Sequence, residues 1–297
     1  MSMFPTKVLL AVDGSEEAEN AARVGLELSQ KTDSELHVIY VAAMPSVLYV
    51  PETYHQMEEM ADREGRTVLD EQLKKIEEMG GNAAAAYLEI GRPDAEIVRV
   101  GEDIGAGLLV VGSRGIGFMR RALLGSVSES TVHHAHCPVL VVWPGENGES
   151  SPGSKILVAT DDSEEAQMAV DAAVELAVAT GDELHLVHAV TIEPPMPYPY
   201  PYAREHREGS MESAKKDARQ FVEEQAGKIR AETGIVAHVH LRVGRADQEI
   251  VTVAEELDAG ILVVGSRGLG GVKRALMGSV SDSVVRHAHS PVLVMRK

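Results

Sequence analysis

The chain has 297 residues, enough for two domains of ordinary size, and an apolar content of 44% that suits a globular protein. A formal net charge of −18 argues against a general binder of nucleic acid or anionic membranes, since either needs a basic face. No apolar run is long enough to span a membrane and no secretory leader is expected. The single Cys137 makes no internal disulfide, so a cytoplasmic location is expected.

In chain order, residues 7–12 (KVLLAV) form a short apolar run ending at Asp13, the pattern of a strand buried on both faces. A helix follows, with Ser15 as its N-cap and acidic residues in the first turn, where the helix dipole favours them. Residues 34–41 read as a second strand, roughly 58–79 as a polar helix, 84–90 as a third strand and 94–104 as a further helix. Strand four (107–113, GLLVVGS) runs into a glycine-rich phrase, a helix starts near Ser126, and 138–143 (PVLVVW) is the fifth strand. The same order is then written again. Residues 155–176 repeat 7–28, 182–189 repeat 34–41, 242–268 repeat 89–115 and 287–295 repeat 134–142, with Ser163 in place of Ser15. The polar stretch 144–154 (PGENGESSPGS) separates the copies, giving domains at 1–146 and 155–297 with a linker at 147–154. Such alternation predicts two tandem doubly wound α/β domains with parallel sheets flanked by helices, whose ligands bind at the carboxyl ends of the strands. The apolar final strands end each domain at a sheet edge, and pairing the two edges would bury both.

The glycine phrase has the same spacing twice: Gly112, Gly115, Gly125, Ser126 and Gly265, Gly268, Gly278, Ser279. Gly112 and Gly265 end a buried strand, where the lack of a Cβ lets the backbone turn and a ligand approach. Gly115 and Gly268 are expected to supply positive φ in a loop whose amides converge on an anion. Gly125-Ser126 and Gly278-Ser279 open a helix whose first N–H groups attract phosphate, and the serine hydroxyl either caps that helix or donates to a phosphate oxygen. Arg114, Arg120 and Arg121 in one copy, and Arg267, Lys273 and Arg274 in the other, supply local cations. Neither phrase is a P-loop or a G-x-G-x-x-G dinucleotide fingerprint.

With this spacing, an Asp closing strand one and a final PVLV strand, both halves resemble the universal stress protein family, in its tandem, ATP-binding form. The resemblance implies five-stranded sheets of order 3-2-1-4-5, each domain binding one adenine nucleotide. It places Asp13 and Asp161 at the adenosine end and the backbone of Val41 and Ala189 at the adenine edge. Gly112, Gly115, Gly125 and Ser126 would wrap ribose and phosphates, as would Gly265, Gly268, Gly278 and Ser279. The neighbouring Arg114, Val127, Arg267 and Val280 complete the expected contacts. Mg²⁺ is expected only through ATP phosphates, with Asp13 and Asp161 as available carboxylates. Pairing of the final strands is implied too, and a homodimer of the whole chain is expected.

Other features have plainer readings. His133, His134 and His136 lie near Cys137, but the second copy reads Arg286, His287, His289, Ser290, so a histidine or cysteine metal site is not expected. Val127, Thr131 and His134 fall at i, i+4 and i+7, as do Val280, Val284 and His287, and read as a core-facing stripe. Cys137 reads as a small buried residue and the SEEA segments as solvated helix starts. Asp13 and Asp161 have an alternative role in capping the following turn. The Pro/Tyr stretch 191–206 reads as a surface loop, with a lid or partner contact as the alternative. The function expected is an ATP-dependent regulatory switch acting on a protein client. The alternative is a slow ATPase or (auto)phosphotransferase, for which no residue is clearly placed as a base.

Overall fold

A computed structural model describes residues 3–43, 51–115, 124–144, 154–191, 202–268 and 277–296, with side chains at all of these except 51–54 and 202–210. The first half contains β1 (Lys7–Val12), α1 (Glu16–Lys31), β2 (Glu35–Ala43), α2 (Pro51–Glu78), β3 (Ala85–Gly91), α3 (Pro93–Ile104), β4 (Leu108–Gly112), α4 (Ser126–His134) and β5 (Val139–Val142). The second contains β6 (Lys155–Ala159), α5 (Glu164–Thr180), β7 (Glu183–Val190), α6 (Tyr202–Thr233), β8 (His238–Val243), α7 (Ala246–Leu257), β9 (Ile261–Gly265), α8 (Ser279–His287) and β10 (Val292–Met295). The expected linker at 147–154 falls outside the described residues apart from Ser154, as does the Pro/Tyr stretch over 192–201.

The strands form one sheet in the order β3-β2-β1-β4-β5-β10-β9-β6-β7-β8. Each half is parallel and has the order 3-2-1-4-5. The two five-stranded units join where β5 and β10 run antiparallel, with Val141 opposite Val292, Leu140 opposite Leu293 and Val139 opposite Val294. The apolar edges anticipated from the sequence therefore cover each other, and β3 and β8 remain at the outside.

Unbroken apolar runs suit strands with helices on both faces. Along β1, Val8 and Leu10 pack into one core layer with α1 and α2, while Leu9 packs into the other with α3 and α4. Both N-caps are as expected: the Ser15 and Ser163 hydroxyls accept from the amides of Ala18 and Ala166, each at 3.1 Å. The polar helices α2 and α6 start earlier than their composition suggests. Pro51 occupies the first helical position, where its missing N–H leaves nothing unpaired.

The joint between the halves is locked by residues just beyond the paired strands. Trp143 follows β5, is buried, and donates from Nε1 to the carbonyl of Val285 at 3.1 Å. Its pseudo-symmetric counterpart is Arg296, which follows β10 and donates to the carbonyls of His133 and Ala135 at 3.1 and 2.5 Å. Between α4 and α8, Arg286 pairs with Glu129 at 2.5 Å and His133 with Asp282 at 3.3 Å.

Candidate functional site

In the first half the strand order reverses between β1 and β4, and the carboxyl ends of these strands must diverge there. They open a cleft of about 430 Å³. Ile39, Val41 and Ala43 of β2 and Pro93 and Ile97 of α3 supply apolar wall, while Asp13, the glycine phrase and the first turn of α4 supply polar groups. The structure brings all eight first-half residues singled out in the sequence to this one cleft: Asp13, Val41, Gly112, Arg114, Gly115, Gly125, Ser126 and Val127. Arg120 and Arg121 fall outside the described residues, as do Lys273 and Arg274.

The reasons for the glycines differ from those expected. Positive φ among the described glycines occurs at Gly14, Gly80, Gly105, Gly181 and Gly234, not at Gly115 or Gly268. At Gly115 a Cβ would meet Asp13 Oδ2, and one at Gly268 would meet Asp161 Oδ2, so a side chain at either position would have to displace that carboxylate. Gly112 is glycine because a Cβ would come within 2.9 Å of the backbone of Glu17 in α1; at Gly265 the same approach to Glu165 is 2.7 Å. Strand end and helix start are thus packed backbone to backbone.

The capping roles considered for the site's hydroxyl and carboxyl groups have opposite outcomes. The N-caps of α4 and α8 are Gly125 and Gly278, without a side-chain cap, so Ser126 and Ser279 are the first helical residues and do not cap. Asp13 does brace the following turn: its Oδ1 accepts from the Ser15 amide at 3.0 Å and from the Ser15 hydroxyl at 2.5 Å. Its Oδ2 remains on the side of Gly115. Asp161 repeats this with Ser163 at 3.2 and 2.6 Å. Nearby, burial first and the Asp13 and Glu64 charges next push the Tyr40 hydroxyl above its ordinary pKa.

The acidic helix starts are not merely solvated. Glu17 meets Arg114 at 3.1 Å and Glu165 meets Arg267 at 3.0 Å, so the one described arginine of each glycine phrase is already paired with a carboxylate. Among the described residues, the buried Nε of Arg114 has no hydrogen-bond partner. Ser128 and Ser281, which sequence reasoning passed over, donate to the carbonyls of Gly112 and Gly265 at 2.6 Å and tie the strand end to the helix start. The recurrence of G-S-V-S and S-E-E-A in both halves is the signal that would have found them.

The expected helix stripe holds at Thr131 and Val284, which are buried, and at Val127, which packs against the core, but not at its histidine end. Ser128, Thr131, Val132 and Ala135 are buried, whereas His134 and His287 are exposed and sit on the carbonyls of Ser130 and Ser283 at 2.8 and 2.7 Å. Val127 lies half-buried at the cleft and Val280 is exposed. His133 and His136 turn to Asp282 and Glu102. Burial pushes the Cys137 thiol up to about 11 against an opposing effect of Arg296, which leaves it a poor nucleophile near neutral pH. In the second half, Asp161, Gly265, Arg267, Gly268 and Gly278 keep the same mutual relations, and Ala189 lies one residue before the end of β7 as Val41 nears the end of β2.

Fold and cleft define a class: a doubly wound α/β protein, duplicated within one chain, with its site at the topological switch point. The model of the universal stress protein family matches residues 5–142 and again 153–296, and the chain belongs to that family. It is 30% identical over 301 residues to a universal stress protein of Mycobacterium tuberculosis, covering 98% of this chain and 97% of that one. A universal stress protein of Mycolicibacterium smegmatis is 27% identical over 293 residues, with 97% and 96% covered. The crystal structure of a universal stress protein from Archaeoglobus fulgidus matches with a TM-score of 0.70 at 28% identity and 98% coverage of both chains. No helix among the described residues is long and apolar enough to cross a membrane.

Proposed function

We propose that each half binds one ATP and that the protein is a nucleotide-dependent regulatory switch. The observation that carries this is the convergence of Asp13, Val41 and the glycine phrase on a single cleft at the start of α4. Its volume of about 430 Å³ lies in the range of small-molecule sites. Val41 and Ile39 offer apolar surface to a base, Asp13 a carboxylate to the adenosine or to Mg²⁺, and the first amides of α4 the positive end of a helix dipole to phosphate. Ser126, released from capping, has a hydroxyl to give to a phosphate oxygen. Because the molecule carries a net charge of −18, the anion must be held by such local donors.

The pairing of Arg114 with Glu17 and of Arg267 with Glu165 favours a switch over an enzyme. Phosphoryl transfer needs cations committed to the transferring group, and among the described residues these two are shared with carboxylates. A switch needs only that a client bind the filled and empty states with different affinity. Calorimetry with Mg·ATP tests the reading. Uptake of two nucleotides per chain is expected, falling to one in Gly115→Val or Gly268→Val and to none in the double variant. No uptake by the unaltered protein sinks it. Single-turnover assays of Ser126→Ala and Ser279→Ala separate the roles, since retained binding with a lost hydrolysis rate would point to catalysis instead.

A further inference from the structure

A second and larger cleft, of about 690 Å³, lies away from the first-half site and spans the joint between the halves. One wall is α3 and α4 of the first half with the turn after α4, and the other is Ser266, Arg267 and Arg296 of the second. In so acidic a protein its lining is unusual, with Arg92, Arg99, Arg267 and Arg296 set against Asp94 and Glu102. Three of these arginines have a carboxylate close by: Arg92 meets Asp94 at 2.7 Å, Arg99 meets Glu89, Glu96 and Asp103 at 2.7 Å each, and Arg267 meets Glu165 at 3.0 Å.

Arg296 is different. Among the described residues it has no carboxylate partner, and its guanidinium donates only to the carbonyls of His133 and Ala135 at the end of α4. A helix C-terminus offers roughly half a negative charge, which leaves a full guanidinium charge incompletely balanced. Burial first, and the like charge of Arg267 next, disfavour its cationic form. Two guanidiniums of the second half therefore line one wall of this cleft, Arg267 offset by Glu165 and Arg296 by carbonyls alone.

We propose that this cleft is a binding site for a small phosphate-bearing anion, held between Arg296 and Arg267. An anion there would balance Arg296, link the second glycine phrase to the residue that follows β10, and receive bidentate donation of the kind guanidinium gives to phosphate. Arg296 lies outside both glycine phrases, whereas Arg267 belongs to the second, so the site adjoins the second-half nucleotide site proposed above and is told apart from it by Arg296.

The test uses the full chain at fixed ionic strength, with sodium pyrophosphate and Mg·ATP each titrated calorimetrically into the unaltered protein, Arg296→Gln and Arg296→Lys. Glutamine keeps an amide that can donate to the same carbonyls, and lysine keeps the charge. Pyrophosphate affinity should fall about tenfold or more in Arg296→Gln and be largely kept in Arg296→Lys, while ATP affinity stays within about twofold in both. Absence of pyrophosphate binding in the unaltered protein, or equal binding in Arg296→Gln, overturns the proposal. So does an equal loss in both variants that tracks a common fall in melting temperature, which would reduce Arg296 to a clamp between the halves. Missing ATP binding with intact pyrophosphate binding would instead count against the nucleotide reading alone.

Discussion

The two halves share a fold and differ in what they place at equivalent points. Where β5 is followed by buried Trp143, β10 is followed by Arg296. Where the turn after β1 has Gly14 at φ +83°, the turn after β6 has Asp162 at φ +66°. On the outer strands, His37 of β2 stacks with Tyr87 of β3, whereas His185 of β7 stacks with both His238 and His240 of β8. The backbone plan tolerates these exchanges because they lie at the seam, in a turn and near an edge. The strand-to-helix junctions around Gly112 and Gly265, where backbones touch, are the same in both copies.

The seam should show the largest effect. Trp143→Ala removes a buried aromatic and one interdomain hydrogen bond and is expected to cost about 3–5 kcal/mol in denaturant unfolding. Arg296→Gln should cost about 1–2 kcal/mol, for weakened bonds to carbonyls. Equal costs would mean that the two sides of the joint are energetically alike.

Next come the clefts. Gly115→Val and Gly268→Val should each weaken ATP binding about 100-fold in their own half and leave the other within about twofold. A single substitution that empties both halves would show that the sites are coupled through the continuous sheet.

The histidine cluster should give the second half a pH dependence of its own. Burial, then the neighbouring His240 and His238, hold His185 below its ordinary 6.5 against the opposing pull of Glu183. Burial, then Arg242 and His238, do the same to His240 against Glu256. The unfolded chain therefore binds protons more readily at both positions. The stability linked to the neutral pair is fully present above pH 6.5 and is lost as pH falls through the lower folded values. His240→Tyr, which copies Tyr87 at the matching register position, should flatten the fall in melting temperature between pH 7 and 5. An unchanged slope would place the acid sensitivity elsewhere. Smallest of all, Asp162→Gly should stabilise by up to about 1 kcal/mol, because a left-handed backbone conformation suits glycine better.

Much of this was legible in the sequence. The duplication, the strand–helix alternation, the Ser15 and Ser163 caps and the pairing of the final strands follow from repeated patterns and from the need to cover apolar edges. What escaped depended on neighbours far along the chain. Spacing alone cannot tell a glycine needed for its φ from one needed for clearance, and the clearance at Gly115 is set by Asp13, a hundred residues earlier. The partnership of Glu17 with Arg114 was invisible for the same reason, since an acidic first turn already has a local explanation in the helix dipole. The burial stripe of α4 was right at Thr131 and wrong at His134, because its nine residues supply too few turns for a period to declare itself.

Trp143 and Arg296 also bear on why the halves share one polypeptide. In a twofold assembly of identical subunits, any residue chosen for one side of the seam must appear on the other, so a tryptophan plug and an arginine plug cannot coexist. Fusion removes that constraint and makes the partnership independent of dilution. Each flank of the joint is then at liberty to specialise, one as a plug that keeps water out and the other as a charged opening.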